Sequence, residues 1–173
     1  MRELIAKIVV PSFEEIEAQR QFITDQIEVI GSERINQLAK EAARVRLNAY
    51  EPYSHYKVGA ALLTRSGGIF TGCNSEAISW TQTDHAETSS VTAAVKSGEI
   101  KRSGRTFITA LAIAVEYNEN NKAMGPCGNC LQRIAEHADN CILIDADDKA
   151  KIHRITSLRT LFPYGFSPET TKI

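Results

Sequence analysis

The chain has 173 residues, 43% of them hydrophobic, enough for one domain that buries roughly two-thirds of its unfolded surface and too few for two full ones. With 20 basic against 21 acidic side chains the formal net charge is -1, which gives no long-range attraction for a phosphate backbone and favours a small neutral partner over nucleic acid. No apolar run approaches the roughly 18 residues of a membrane helix, and Met1-Arg2-Glu3-Leu4 lacks the layout of a secretory signal, so no membrane association is expected and the cytoplasm is.

Residues 1 to 31 carry Ile5, Ile8, Phe13, Ile16, Ile23, Ile27 and Ile30 among charged neighbours, with Ser12 and Glu15 at capping-box spacing. Part of this segment is therefore an amphipathic helix, ended by Gly31. A second helix is predicted from Ser32 to about Leu47, where Ile35, Leu38, Ala39, Ala42 and Val45 recur at i, i+3, i+4 spacing; Pro52 forbids its continuation. Lys57 to Thr64, then Arg65-Ser66-Gly67-Gly68, then Ile69-Phe70-Thr71 read as a hairpin with a glycine turn. Helical character returns from Asp84 to Ser97, with Gly98 as its stop. Thr106 to Val115 is almost wholly apolar, as expected of a strand covered on both faces. After a polar loop, Glu116 to Gly125, a helix is predicted from Cys127 to about Ala138 and a buried strand at Cys141 to Ile144. Lys149 to Ile155 adds a fifth strand and Thr156 to Leu161 a last short helix. This order predicts an α/β fold, a three-layer α/β/α sandwich around one mixed five-stranded sheet.

The residues that carry chemistry are His85-Ala86-Glu87 and Pro126-Cys127-Gly128-Asn129-Cys130. Four cysteines, two of them in a Cys-x-x-Cys pair, read as metal ligands or redox thiols before they read as a disulfide framework, and reducing surroundings keep them available. In the first turn of a helix, Cys127 and Cys130 share one face, so both sulfurs can reach one ion, and the positive end of the helix favours their thiolate form. His85, opening a different helix, supplies a third ligand. Two thiolates and an imidazole suit Zn2+, one per subunit, and three protein ligands leave the fourth tetrahedral position for water, as in catalytic sites. Glu87 lies two residues from a ligand and can shuttle protons without ligating. Paired His-x-Glu and Pro-Cys-x-x-Cys segments are the documented signature of zinc deaminases, so this match is recognition of a known pattern. A closed structural site would need a fourth ligand, and Cys73, Cys141, His55, His137 and His153 stand at no characteristic ligand spacing.

Beyond the metal, the chain resembles the cytidine deaminase family over roughly residues 33 to 166. Ala49-Tyr50-Glu51-Pro52-Tyr53-Ser54-His55-Tyr56-Lys57-Val58-Gly59-Ala60-Ala61-Leu62-Leu63 is similar to its AY-x-PYS-x-F-x-VGAALL segment. Asn74-Ser75-Glu76 is similar to its N-x-E element, and Leu161-Phe162-Pro163-Tyr164-Gly165-Phe166 to its LLP-x-x-F ending. The resemblance implies a catalytic domain at 32–173 preceded by an extension at 1–31. It implies substrate binding by Tyr56, Asn74, Glu76, Ala86 and Phe166, with Asn74 and Glu76 on the ribose hydroxyls; read alone, that pair would as readily cap a loop. It also implies a homotetramer, with a homodimer as the alternative, in which Phe166 reaches a neighbour.

The chain departs from the family at several positions. Short members usually have Cys-Ala-Glu-Arg where this chain has His85-Ala86-Glu87-Thr88; one imidazole and two thiolates neutralise Zn2+, so Thr88 need not be basic. Leu131 replaces a usual Arg, Ala77 an Asn, Trp80 a Tyr and Tyr56 a Phe. The function implied is hydrolytic deamination of cytidine or deoxycytidine. The altered pocket residues motivate an alternative, a deaminase of an N4-substituted cytidine or nucleoside antibiotic. Polynucleotide editing needs a basic groove and stacking aromatics, which a neutral chain with 7% aromatic residues does not offer. A non-catalytic zinc-stabilised binding module would show four protein ligands.

Overall fold

The computed structural model describes residues 11–117 and 125–166. Helix α1 (Phe13–Ile30) opens on the expected capping box, with the Ser12 hydroxyl accepting from the Glu15 amide and the Glu15 carboxylate accepting from the Ser12 amide. Gly31, at φ 84°, ends it and leads straight into α2 (Ser32–Arg46). Ile5 and Ile8 lie outside the described residues.

Strands β1 (Val58–Thr64) and β2 (Ile69–Cys73) form the predicted hairpin, and Gly67 takes the positive φ its turn requires. A single 3-10 turn at Trp80–Gln82 precedes α3 (Ala86–Lys96). Gly98 stops α3 in a left-handed conformation, but the chain then makes a further short helix, α4 (Glu99–Ser103). Five residues are too few for a periodicity to show; what anchors this turn is the buried Glu99 carboxylate, which accepts from the Ser66 hydroxyl of the hairpin turn at 2.8 and 3.0 Å.

Strand β3 (Ile108–Val115) is followed by α5 (Gly128–Ala135), β4 (Ile142–Asp147), β5 (Ile152–Ser157) and α6 (Leu158–Leu161). Helix α5 stops short of Ala138 because His137 turns inward against the Phe107 ring, centroids 4.9 Å apart, with its amide closing on Ile134. Strand β5 begins later than predicted and takes Thr156 and Ser157 from the last helix, leaving Ser157 as that helix's cap.

The sheet order is β2-β1-β3-β4-β5, with β3 and β4 parallel and the other pairs antiparallel, which is the mixed five-stranded sheet expected. Residues of alternating parity line its two faces. Leu62, Leu111, Ile113 and Leu143 pack with Val91 of α3 and Leu131 and Ile134 of α5; Ala61, Ala110, Ala112, Ile142 and Ile144 pack with Ile35, Leu38 and Ala42 of α2, with α1 outside them. Two glycines set how closely the helices lie. A Cβ on Gly59 would fall 2.1 Å from the Ala42 carbonyl oxygen, and one on Gly72 would fall 2.5 Å from both the Ala86 carbonyl oxygen and the Ser90 amide nitrogen. Helix α3 therefore rests directly on β2, which places its first turn at the end of the sheet where β3 also runs out toward α5.

Candidate metal centre and active site

Three side chains able to ligate a metal ion converge from the starts of two helices. His85 is the residue capping α3, Cys127 caps α5, and Cys130 is the third residue of α5. The backbone of His85 is held by the Ser89 amide and the Thr88 hydroxyl, both donating to its carbonyl at 2.9 and 2.8 Å. His85 Nδ1 lies 3.5 Å from Cys127 Sγ and 3.4 Å from Cys130 Sγ, and the two sulfurs are 3.6 Å apart.

These separations fit one ion. Tetrahedral zinc with Zn–S of about 2.3 Å and Zn–N of about 2.0 Å requires ligand-to-ligand edges of about 3.8 Å between sulfurs and about 3.5 Å between sulfur and nitrogen. The observed triangle matches on all three sides. Among the described residues no fourth His, Cys, Asp or Glu joins this group, which comprises His85, Cys127 and Cys130. The positive ends of α3 and α5 both face it, adding to the attraction for thiolate.

Glu87 sits in the first turn of α3 and is buried, 6% exposed. Burial pushes the Cys130 thiol far above its ordinary pKa, and the Glu87 and Cys127 side chains raise it further, Glu87 both by its charge and by a hydrogen bond. The carboxylate is thus within reach of the Cys130 sulfur without belonging to the triangle of candidate ligands. A thiol with this environment becomes a thiolate only when a cation displaces its proton. The remaining cysteines lie elsewhere: burial raises Cys73 as well, and pushes Cys141 up to about 12, which suits packed and unreactive thiols.

Asn74 and Glu76 stand beside the 50–58 loop and hold it. Asn74 Oδ1 accepts from the Val58 amide at 2.8 Å while Nδ2 donates to the Tyr56 carbonyl at 2.9 Å. Glu76 Oε2 accepts from the Tyr53 and Ser54 amides at 2.9 and 3.1 Å, and Oε1 from the Ser54 hydroxyl. Both side chains are therefore loop-holding groups in this structure. Each retains spare capacity, one N–H and one lone pair on Asn74 and a lone pair on Glu76 Oε1. Tyr56 is partly buried against the α3/α5 side of the core, Ala86 is fully buried, and Phe166 is 74% exposed, its carbonyl accepting from Gln132 Nε2 at 2.9 Å.

A cavity of about 620 Å³ lies elsewhere, between α1, the end of α5, α6 and residues 162–166, and Phe166 is the only predicted site residue in its wall. Size alone does not mark the chemistry here; the ligand triangle does.

Residues 32–145 match the family described as the cytidine and deoxycytidylate deaminase zinc-binding region, a span that contains the whole triangle and Glu87. The chain belongs to the cytidine and deoxycytidylate deaminase family. The cytidine deaminase of Sporosarcina psychrophila is 33% identical over 135 residues, covering 78% of this chain and 93% of the relative. That of Halalkalibacterium halodurans is 36% identical over 134 residues, covering 76% and 93%. The crystal structure of cytidine deaminase from Burkholderia pseudomallei superposes with a TM-score of 0.66 at 32% identity, covering 75% of this chain and 97% of that one. Zinc is accordingly the cofactor of this family's centre, in agreement with the triangle's dimensions. The family match begins at Ser32, so α1 lies outside it.

Sequence reasoning missed the pairing of Asp145 with Arg154, which lies on the α3/α5 face of the sheet. Its signal was the Asp145-Ala146-Asp147 alternation at the end of an otherwise apolar strand. Two carboxylates on one face of a buried strand require partners.

Proposed function

We propose that this chain is a zinc-dependent cytidine deaminase that converts cytidine or deoxycytidine and water to the uracil nucleoside and ammonia. The observation that carries this is the triangle of His85 Nδ1, Cys127 Sγ and Cys130 Sγ, sized for zinc, with the Glu87 carboxylate beside it and outside the ligand set. Zinc held there supplies a Lewis acid that brings the pKa of water from 15.7 toward about 7. Glu87 would receive one proton of the attacking water and pass it to ring N3 as the oxygen adds at C4, then take the remaining proton from the new C4 hydroxyl and deliver it to the amino nitrogen as the C4–N4 bond breaks and the C4 carbonyl forms. Burial of Glu87 and Ala86 keeps bulk water from that exchange. Tyr56, Asn74, Glu76, Ala86 and Phe166 line the nucleoside, and the spare acceptor and donor positions of Asn74 and Glu76 receive the ribose hydroxyls. A site with such polar groups rejects analogues that lack the diol, because the groups would be left unpaired.

Both curated relatives named above are cytidine deaminases, which ranks cytidine over a modified nucleoside. The domain runs from 32 to 173 with 1–31 as an extension, and the enzyme works in the cytoplasm on a small pyrimidine nucleoside without nucleic acid or membrane. It assembles as a homotetramer, or failing that a homodimer; the exposed Tyr53, Ile78, Trp80 and Phe166 are the apolar surface such an assembly would cover.

The purified protein is assayed by loss of the cytosine absorbance band across cytidine, deoxycytidine, an N4-substituted cytidine and a nucleoside antibiotic. Cytidine or deoxycytidine turns over fastest. Glu87→Gln lowers turnover by at least about 100-fold, within the range of general acid–base catalysis, while zinc content stays near one per chain. Normal turnover by Glu87→Gln removes the assigned shuttle, and activity confined to the modified substrates removes cytidine.

A further inference from the structure

Strand β4 places Asp145 and Asp147 on the same face as Leu143, the side on which α3 and α5 pack. Across from them β5 carries an irregularity: Asp145 is in register with Arg154 but Ala146 with Ile152, so His153 is an extra residue. In a regular strand His153 and Arg154 would point to opposite faces. The bulge lets both meet the β4 carboxylates, and bulges commonly re-aim side chains in this way beside functional sites. His153 Nε2 reaches Asp147 Oδ2 at 2.9 Å. Arg154 Nε and Nη2 both reach Asp145 Oδ2, at 2.6 and 2.5 Å.

The Arg154 contact is lopsided. A guanidinium fork normally uses both carboxylate oxygens, whereas here both nitrogens fall on one, and the buried Oδ1 of Asp145 has no hydrogen-bond partner among the described residues. The guanidinium also has Gly125 as a close neighbour. A Cβ built on Gly125 would lie 3.1 Å from Arg154 Nη2, and Gly125 precedes the ligand Cys127 by two residues. The same bulge serves the other flank of the β3–α5 connection, because the Tyr117 ring stacks on His153 with centroids 4.0 Å apart and planes 11° from parallel. Two adjacent residues of β5 thus flank the β3–α5 connection, His153 stacked on Tyr117 just after β3 and Arg154 close to Gly125 just before the cysteines.

We propose that Arg154, anchored by Asp145, is a positioning residue for the zinc centre: its guanidinium fixes the backbone at Gly125 and so sets how tightly Cys127 and Cys130 close on the ion. This rests on the reading of the triangle as the zinc site, and it assigns the β5 bulge the task of supporting ligands that lie on another element. The competing account is that the pair only staples β4 to β5.

The two accounts separate on zinc retention against stability. The test takes zinc-loaded full-length protein and measures zinc release to a chromogenic chelator, thermal melting, and kcat and KM for cytidine. Arg154→Met releases zinc about tenfold faster or more, the size typical of losing a support behind a metal ligand, and lowers kcat more than it raises KM. Replacing both partners, Asp145→Leu with Arg154→Met, removes the unpaired buried carboxylate and restores the melting temperature, yet release stays fast. Gly125→Ala speeds release in the parent protein, because the pinned guanidinium cannot yield, and adds little in the Arg154→Met background. Unchanged release in Arg154→Met, or release that recovers together with melting in the double variant, overturns the proposal. A chain that binds zinc but leaves cytidine untouched sinks only the assigned reaction, and the release rates still decide the role of Arg154.

Discussion

Glu76 shows how one carboxylate holds a loop by three hydrogen bonds. Burial acts to raise its pKa, but the Ser54 hydroxyl, the Tyr53 and Ser54 amides and the neighbouring His55 outweigh it and hold the carboxyl below its ordinary value. A carboxylate whose pKa is lower folded than unfolded stabilises the fold above the unfolded value, about 4.3, and loses that contribution as pH falls through the folded one. The loop it holds has a built-in reporter, since Trp80 is the chain's one tryptophan and packs edge-on against Tyr53 with centroids 5.9 Å apart. Acid titration of tryptophan emission is therefore expected to show a transition below about pH 4 that Glu76→Gln lacks. The same transition in Glu76→Gln would assign it to another group. Reading Asn74 and Glu76 from sequence as ribose-binding groups could not show that their polar atoms are largely spent on amides and carbonyls of the 53–58 segment.

At the scale of elements, helices long enough to show a period and strands with long apolar runs were legible, and the triangle was legible because its members open helices. What stayed hidden has a local physical cause in each case. The α4 turn is too short for periodicity and depends on Glu99 meeting Ser66 from a distant hairpin. The end of α5 depends on His137 packing on Phe107, and the β5 bulge depends on β4's carboxylates. The two close-contact glycines allow a sharper comparison. Gly59→Ala pushes β1 from α2, on the face away from the metal, whereas Gly72→Ala pushes β2 from the turn of α3 that carries Ala86 and Ser90. Overpacking of this kind costs about 1–3 kcal/mol in either variant. Both therefore melt earlier, but only Gly72→Ala, by shifting the first turn of α3 and with it His85 and Glu87, also loses zinc affinity and turnover. Equal zinc retention by the two would show that α3 slides without disturbing its ligand.

For the whole molecule, the question is what α1 does outside the family match. None of its residues is fully buried, yet Phe22, Ile23, Ile27 and Ile30 pack against the α2 side of the sheet beside Ile152 and Ile155, and Gln19 Oε1 accepts from the Ser157 hydroxyl at 2.8 Å and from Asn140 Nδ2 at 3.2 Å. The helix packs beside β5, the edge strand, on the α2 side of the sheet, opposite the α3/α5 layer. Four half-buried apolar side chains are worth roughly 1 kcal/mol each, and for a chain of this size that total corresponds to a fall of about 10 °C in melting temperature. Deleting residues 1–31 is accordingly expected to lower the melting temperature by about that much while kcat for cytidine and the zinc content persist, because the triangle of His85, Cys127 and Cys130 takes no member from α1. Melting unchanged by the deletion would mean that the contacts along β5 contribute nothing net. Loss of turnover with zinc still bound would instead place α1 in the machinery that shapes the nucleoside site, through the last strand it packs on.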